Sequence, residues 1–412
     1  MRILIKNIKE LIGILDSNIK VKKGHEMNEI KSIRNAYLIS NNGDIESFGV
    51  MDELIESNFD EVYDAEGGLV YPTYIDSHTH LVFATSREEE FEDRINGLSY
   101  EEIAERGGGI LNSAVKLAAM SEDELFEQAK SRLQSVIKLG TGAIEIKSGY
   151  GLSYEAELKI LRVVKRLKAW SPIPIKGTFL GAHAIPKEYQ GRREEYMNLV
   201  LEEILPEAVK QNLVDYVDVF CEKGYFTVQE LESVIEAGNT YGLRAKVHVN
   251  QFNAIGGIPA AAKIGALSVD HLEVLNDDDV EHLLASETMP VMLPSCSFFL
   301  GIPYGNGVEL IGKGLPLALA SDFNPGSTPS GNMNFVYSLA CIKMKLTPIQ
   351  ALNALTINAA RAVELEASLG SITQGKTANF ILTKPVKNLA YIPYSFGENC
   401  IANVFINGKP FE

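Results

Sequence analysis

Two histidines separated by a single residue, His78 and His80, are the first residues in this sequence whose types and spacing suggest chemistry. In an extended segment alternate side chains point the same way, so both imidazoles can converge on one cation. His248 and Asp322 each end another apolar segment, and imidazole nitrogens with a carboxylate suit zinc or iron. A His-x-His pair alone also arises among ordinary histidines, so it is the position of the other two residues that favours a metal site.

Three further residues have both a chemical and an ordinary explanation. Arg87 offers a planar cation for a carboxylate, or it is a solvated charge beside the acidic run 88–92. Tyr150 lies between two glycines that would let its ring enter a pocket, or it is a plain loop residue. His183 follows an apolar segment, where it either contacts a substrate or is satisfied by backbone groups.

The segment that follows Asp322 also has two explanations. Residues 324–327 are all typical of a turn, and a turn beside a metal ligand can aim backbone amides at an anion. These two interpretations are compatible. His271 ends one more apolar segment, at a position equivalent to those of the other histidines.

These residues are positioned by apolar segments that alternate with stretches of helical periodicity, the pattern of parallel strands joined by crossover helices. The segments predicted as strands are 69–76, 142–147, 173–182, 216–220, 245–249, 266–270, 290–294 and 315–321. Eight repeats over roughly 300 residues favour a closed barrel over an open doubly wound sheet, and no G-x-G-x-x-G turn follows the first strand. Active sites of such barrels lie at the C-terminal ends of the strands, where the polar residues above are found.

Helix starts and the two chain ends complete the predicted fold. Capping boxes are expected at Ser99, Ser121, Thr227 and Thr347, the last with proline at the first helical position. Both ends of the chain instead show short alternating strands with turn residues, as in 41–44. The sequence therefore predicts an α/β protein, a (β/α)₈ TIM barrel over 67–366 with a smaller composite β-sandwich domain formed by 1–66 and 367–412.

Composition limits the classes of partner. The chain has 412 residues, 46% of them hydrophobic and 22% charged, which is the balance of an ordinary globular protein. A net charge of −16 disfavours nucleic acid and anionic membranes, so a small-molecule partner is expected. The N-terminal segment carries lysines throughout and has no small-residue cleavage site for a signal peptide. No apolar run approaches the length of a membrane-spanning helix. The four cysteines are widely scattered along the chain. We expect a cytoplasmic protein with reduced thiols.

The motifs around these residues resemble the amidohydrolase superfamily, whose metal ligands end barrel strands one, five and eight. The resemblance covers nearly the whole chain and is densest in HTHLVFATSREEEFEDR, GGGILNS, EIKSGYGL, TFLGAHAIP, DVFCEKGYF, GALSVDHLE and ALASDFNPGS. Within the superfamily, several of these motifs resemble those of enzymes that open the cyclic amide of an imidazolone carrying a propionate chain. The product of that reaction is N-formimidoyl-L-glutamate.

The same resemblance assigns roles to individual residues. It implies one Zn²⁺ or Fe³⁺ per subunit, held by His78, His80, His248 and Asp322, and a homodimer. It implies substrate contacts from Arg87, Tyr150, His183, Gln251, Asn324, Gly326 and Ser327. Asp322 is then the expected acceptor of a proton from metal-activated water, and His271 is expected to orient that water or stabilise the oxyanion.

Some features leave alternatives open. Gln251 occupies a position where some relatives have glutamate. An amide can hydrogen-bond but cannot accept a proton, so Gln251 is not expected to act as an acid or base. Its presence also weakens the alternative function, an aminohydrolase acting on an exocyclic amine. Lys223 is a candidate for a carboxylated lysine bridging two metals, although its neighbours resemble those of mononuclear enzymes. Ser395 stands where histidine is more typical, and no role is assigned to it. A non-catalytic barrel is disfavoured because all four ligands are present.

Overall fold

A computed structural model describes residues 1–55, 58–98, 102 and 108–412. One of its two sheets contains eight parallel strands in the order β13-β12-β11-β10-β9-β8-β7-β6. These strands are β6 (Tyr74–Asp76), β7 (Thr141–Lys147), β8 (Ile175–Ala182), β9 (Tyr216–Cys221), β10 (Arg244–Val249), β11 (Ser268–His271), β12 (Met289–Met292) and β13 (Ala318–Leu319). Parallel neighbours in strict sequence order, each followed by helical crossovers, make the predicted (β/α)₈ barrel.

The barrel closes just beyond the ends of β6 and β13. Thr79 and Phe323 form a parallel bridge, and the amide of His80 donates to the carbonyl of Phe323 at 2.9 Å. The amide of Asp322 donates to the carbonyl of His78 at 3.0 Å. The closure therefore sets the carboxylate beside the two histidines although more than 240 residues separate them in the chain.

Both ends of the chain form a second sheet, as predicted. It contains β1 (Arg2–Ile14), β2 (Lys31–Asn41), β3 (Asp44–Val50), β4 (Glu61–Asp64), β5 (Leu69–Pro72), β14 (Phe380–Thr383), β15 (Ile401–Ile406) and β16 (Lys409–Pro410). The sheet curls until Asp44 bridges Thr377, enclosing an apolar core in which the rings of Phe380 and Phe405 stack with centroids 4.6 Å apart. Residues 41–44 form the predicted turn between β2 and β3.

Three predicted strands differ clearly from the structure, and one of them, 315–321, is reduced to Ala318–Leu319. The run 69–76 is not one strand, because β5 pairs with β1 and β14 in the terminal sheet while β6 begins the barrel. The chain changes pairing partner at Pro72 and Thr73, where a proline at the end of β5 interrupts the apolar run. The run 290–294 ends at Met292, since Pro294 begins the helix Pro294–Leu300. The domain bounds at 66/67 and 366/367 remain predictions.

The helices cover the outside of the barrel and connect its strands. The α-helices are Glu88–Ile95, Gly109–Ala119, Glu122–Lys138, Tyr154–Trp170, Arg193–Asn198, Leu205–Lys210, Val228–Thr240, Gly257–Ile264, Asp277–Leu284, Pro294–Leu300, Gly307–Gly312, Met333–Ile342, Pro348–Leu355, Ile357–Arg361 and Tyr391–Tyr394, with a π-helical turn at Leu199–Ile204 and 3₁₀ turns at Gly24–Asn28, Met51–Glu53 and Lys187–Tyr189. The capping boxes at Ser121, Thr227 and Thr347 are confirmed. The one predicted at Ser99 lies outside the described residues. Within the described part of the chain, no helix is long and apolar enough to cross a bilayer.

Candidate metal and substrate site

The histidines singled out in the sequence converge at the C-terminal mouth of the barrel. His78 and His80 follow β6, His248 lies in β10 and His271 ends β11. All four side chains are buried, as is Asp322 after β13. The imidazole centroids of His78 and His248 are 4.4 Å apart, and those of His80 and His248 are 5.4 Å apart. Residues from four strands thus meet in one small volume.

Possible ligand atoms approach closely enough to share one cation. Single atoms of His78, His80 and Asp322 lie within 4.8 Å of one another, and so do single atoms of His78, His248 and His271. Asp322 Oδ1 lies 3.5 Å from His78 Nε2 and 3.7 Å from His80 Nε2. The Nε2 atoms therefore face the same carboxylate oxygen.

The opposite nitrogen of each of these imidazoles is already occupied. His78 Nδ1 lies 2.7 Å from Asp270 Oδ2, and His248 Nδ1 lies 2.8 Å from Asp218 Oδ2. His80 Nδ1 lies 3.3 Å from the carbonyl of Ser148. A histidine whose Nδ1–H donates to an acceptor leaves Nε2 unprotonated, which is the tautomer that binds metals.

This arrangement fits a divalent metal. Nε2 of His78 is buried and has no hydrogen-bond partner among the described residues, an uncommon condition that a bound cation would satisfy. Burial, followed by nearby cationic groups, places the pKa values of His78, His80 and His248 well below the usual range, so these imidazoles stay neutral. Three neutral imidazoles and one carboxylate form a donor set that suits zinc or iron.

Asp322 is held in an unusual backbone conformation. Its φ of 58° lies in the left-handed region, which residues with a side chain adopt rarely and mainly at functional sites. Ser327 Oγ donates to Asp322 Oδ2 at 3.0 Å, which leaves Oδ1 facing the histidines. Burial raises the pKa of Asp322 to about 6, while His271 and the hydrogen bond from Ser327 act in the opposite direction.

His271 is paired with a carboxylate of its own. Its Nδ1 lies 3.4 Å from Glu273 Oε1, and its φ of 95° is again in the left-handed region. Burial acts to lower the pKa of His271, but the negative charge of Glu273 and the hydrogen bond to it give a net raised pKa. The raised pKa favours the protonated form of His271, which donates hydrogen bonds, beside the other histidines.

A cavity of about 490 Å³ opens beside the histidine cluster. Seven of its lining residues are those expected to contact a substrate: Arg87, Tyr150, His183, Gln251, Asn324, Gly326 and Ser327. The ring of His183 stacks on that of His80 at 5.3 Å, which connects this cavity to the possible metal ligands. Arg94 also lines the cavity, and none of the described lining residues is an aspartate or glutamate.

Arg87 places a positive charge at the cavity wall, beside Tyr150. Its Nε donates to Ser113 Oγ at 2.9 Å, and its guanidinium carbon lies 5.9 Å from the ring centroid of Tyr150. Nη2 of Arg87 is buried without a hydrogen-bond partner among the described residues. Glu90 Oε1 already lies 3.7 Å from Arg87 Nε, and Nη2 remains as a donor for a further carboxylate.

In the loop after Asp322, the side chain of Asn324 forms an Asx turn with the backbone that follows it. Asn324 Oδ1 accepts from the amides of Gly326 and Ser327, each at 2.8 Å, and Asn324 Nδ2 donates to the carbonyl of Asp322 at 2.6 Å. A Cβ built on Gly326 would lie only 2.6 Å from Arg87 Nη1. The turn therefore passes close to the guanidinium, and glycine makes that approach possible.

This close approach predicts the result of one substitution. Gly326→Ala should displace the Arg87 guanidinium and lower kcat/KM by about 10- to 100-fold, because small misplacements of a substrate-positioning group are costly. Steady-state kinetics of the variant would measure the loss. Gly312→Ala is the matched control, since its added methyl meets no atom within 4 Å. Equal kinetics for Gly326→Ala and the native protein would contradict the placement of Arg87.

Three other residues singled out in the sequence have clear positions in the structure. Gln251 Nε2 lies 3.4 Å from Cys296 Sγ at the cavity wall, so its amide is a hydrogen-bonding group there. Lys223 is exposed and its amide is paired with Glu222, which does not support a metal-bridging lysine. Ser395 Oγ donates to the carbonyl of Tyr391 in the C-terminal segment.

Sequence reasoning missed the groups that hold the histidines. Asp218 and Asp270 accept from the imidazoles, and the buried Lys147 pairs with Asp218. The available signal was a charged residue inside each apolar strand segment, since such residues are rarely buried unless paired. Arg94 was also missed because nothing in its acidic surroundings distinguishes it from a surface charge.

Comparisons with known proteins bear on the family and on the fold. An amidohydrolase family profile matches residues 306–411. The imidazolonepropionase of Christiangramia forsetii is 56% identical over 409 residues, covering 99% of this chain and 100% of the relative. That of Clostridium tetani is 38% identical over 411 residues, covering 99% of this chain and 97% of the relative.

A solved structure supports the fold over the same length. The zinc-bound adenosine deaminase from Xanthomonas campestris superposes with a TM-score of 0.71 at 14% identity, covering 99% of this chain and 92% of the other. At that identity the likeness concerns architecture, whereas the full-length relatives at 38–56% identity decide the family. The chain belongs to the imidazolonepropionase family within the amidohydrolase superfamily.

Proposed function

We propose that this protein hydrolyses the cyclic amide C–N bond of 4-imidazolone-5-propanoate to give N-formimidoyl-L-glutamate. The observation that carries the proposal is a cationic cavity, lined by Arg87 and Arg94, that adjoins a cluster of neutral histidines with an unpartnered Nε2. The cavity suits an anionic ring substrate, and the cluster suits a hydrolytic metal.

His78, His80, His248 and Asp322 would hold the metal. A divalent ion bound there supplies Lewis-acid chemistry, lowering the pKa of a bound water and polarising an amide carbonyl. The carboxylates of Asp270 and Asp218 fix the imidazoles of His78 and His248 in the tautomer that this role needs. Zinc and iron both fit these ligands.

Arg87 binds the propionate chain of the substrate. Its unpartnered Nη2 is available for a charge-assisted hydrogen bond, and the absence of acidic side chains from the described cavity wall favours an anion. Tyr150 and His183 border the same space, their rings 5.5 Å apart. These aromatic rings offer flat surfaces for the imidazolone between the guanidinium and the histidine cluster.

Asp322 transfers a proton during ring opening, and His271 stabilises the oxyanion. The Asp322 carboxylate accepts a proton from the attacking water as the water oxygen bonds to the amide carbon. His271 donates a hydrogen bond to the developing oxyanion. The C–N bond then breaks, and the proton held by Asp322 passes to the departing ring nitrogen. Gln251 takes no proton and orients the ring by hydrogen bonding.

A substrate panel tests this proposal. The metal-loaded protein should hydrolyse imidazolone propanoate far faster than other cyclic amides or aminated heterocycles, and treatment with a chelator should abolish that activity. The loss of imidazolone absorbance measures substrate consumption, and mass spectrometry identifies the product. Preference for release of ammonia from an aminated ring would replace the proposal with the aminohydrolase alternative. The homodimer and the cytoplasmic location remain predictions.

A further inference from the structure

One buried lysine lies directly beneath the histidine cluster. Lys147, at the end of β7, is completely inaccessible to solvent. Its Nζ lies 2.8 Å from Asp218 Oδ2, 2.9 Å from Glu145 Oε1 and 3.8 Å from Asp270 Oδ2. Burial disfavours its charge, but the surrounding carboxylates outweigh this effect and raise the pKa of Lys147. The side chain is therefore a cation in the barrel interior.

The carboxylate oxygens near Lys147 are the same atoms that hold two histidines. Asp218 Oδ2 contacts both Lys147 and His248 Nδ1, and Asp270 Oδ2 contacts His78 Nδ1 at 2.7 Å while facing Lys147. One ammonium group thus lies beside both of the carboxylates that orient the imidazoles of His78 and His248.

Lys246 provides a useful contrast. It is also completely buried, and its Nζ lies 3.5 Å from Asp270 Oδ2. Its closest contacts, however, are Ser268 Oγ at 2.7 Å and the carbonyl of Ala362 at 3.3 Å. No ion pair between Lys246 and Asp218 is present among the described residues. Lys246 therefore lies beside one of the carboxylates that hold an imidazole, whereas Lys147 lies beside two of them.

We propose that Lys147 is a positioning residue that sets metal affinity by holding Asp218 and Asp270 at once, an inference that rests on the metal site of the proposed function. The strand order explains why one residue can do so. Lys147 projects inward from β7, while Asp218 and Asp270 project inward from β9 and β11, and an interior layer of a barrel brings alternate strands together. A long, flexible cation is suited to bridging across this layer.

The effect of losing Lys147 follows from these contacts. Without the ammonium, the Asp218 and Asp270 carboxylates repel each other and lose a shared partner, so both can turn away from the imidazoles. His78 and His248 would then be less well oriented toward a cation. Residues that hold metal ligands in this way typically change metal affinity by about 10- to 100-fold when they are substituted.

The experiment measures metal binding without any substrate. Lys147→Met and Lys246→Met would be purified as apo-proteins, and their dissociation constants for Zn²⁺ measured by competition with a chromophoric chelator. We expect Lys147→Met to bind Zn²⁺ about 10- to 100-fold more weakly than the native chain, and Lys246→Met to lose clearly less. The visible spectrum of the Co²⁺-loaded protein should also change in Lys147→Met, because its d–d bands report ligand geometry.

Two outcomes would overturn the inference. One is native Zn²⁺ affinity and an unchanged Co²⁺ spectrum in folded Lys147→Met, and the other is an equal loss in both lysine variants, which would indicate a general effect of removing buried charge. Where Lys147→Met does not fold, the charge-balanced pair Glu145→Gln with Lys147→Met takes its place, with the same expected loss. Failure of that pair to fold as well would assign Lys147 a purely structural role. A native chain that binds Zn²⁺ but does not hydrolyse imidazolone propanoate would reject the proposed substrate and leave this inference standing.

Discussion

Replacing Asp322 with asparagine should lower kcat by about 10²- to 10⁴-fold, the range expected when a general acid–base group is lost. The amide keeps the shape of the side chain and its possible contact with Ser327, but it cannot accept a proton from water. Single-turnover kinetics on metal-loaded protein would measure the loss at the chemical step. Metal content must be determined on the same sample, because Asp322 Oδ1 also faces His78 and His80.

Ser327→Ala is the matched control for this variant. It removes the hydrogen bond to Asp322 Oδ2 and leaves the carboxylate in place, so we expect less than about a tenfold decrease in kcat, in line with the loss of one ordinary hydrogen bond. If Asp322→Asn retained its metal and near-normal turnover, Asp322 would not be the proton acceptor. The base would then have to be sought elsewhere, with the His271–Glu273 pair as the first candidate.

Replacing Arg87 with glutamine should lower kcat/KM for imidazolone propanoate by about 100-fold, corresponding to ~3 kcal/mol for a truncated buried charge pair. The structure gives the reason, since the guanidinium is fixed by Ser113 and has a buried Nη2 with no partner in the described part of the chain. Steady-state kinetics at constant ionic strength would measure this change.

A substrate analogue makes the Arg87 test specific. When the propionate is replaced by a propanamide, the native protein and Arg87→Gln should differ by less than about fivefold, because the charge-assisted bond is absent in both. Arg94→Gln is a second comparison, since Arg94 lines the same cavity and also contacts the carbonyl of Gly326 at 3.4 Å. An Arg87→Gln loss of equal size with both substrates would show that Arg87 supports the fold of the site and does not recognise the carboxylate.

Much of the site could be predicted from the sequence because its residues occupy equivalent positions along a repeating pattern. Parallel strands bring their carboxyl ends to one edge, so polar residues ending separate apolar segments can be placed together without any distance information. His78, His80, His248 and Asp322 were identified in this way, and family resemblance supplied Gln251 and Gly326, which line the same cavity. Capping boxes at Ser121, Thr227 and Thr347 were also readable because their contacts span only three residues.

The features that could not be predicted depend on contacts between distant segments. The division of 69–76 between two sheets is set by the partners of β5, which include β14 more than 300 residues away. The pairing of His78 with Asp270 and of His248 with Asp218, and the position of Lys147 between those carboxylates, arise when barrel closure packs inward side chains from alternate strands into one layer. The order of residues along the chain was enough to show which polar side chains end the strands. The three-dimensional packing determined which nitrogen of each imidazole is left free, because that depends on acceptors supplied by other strands.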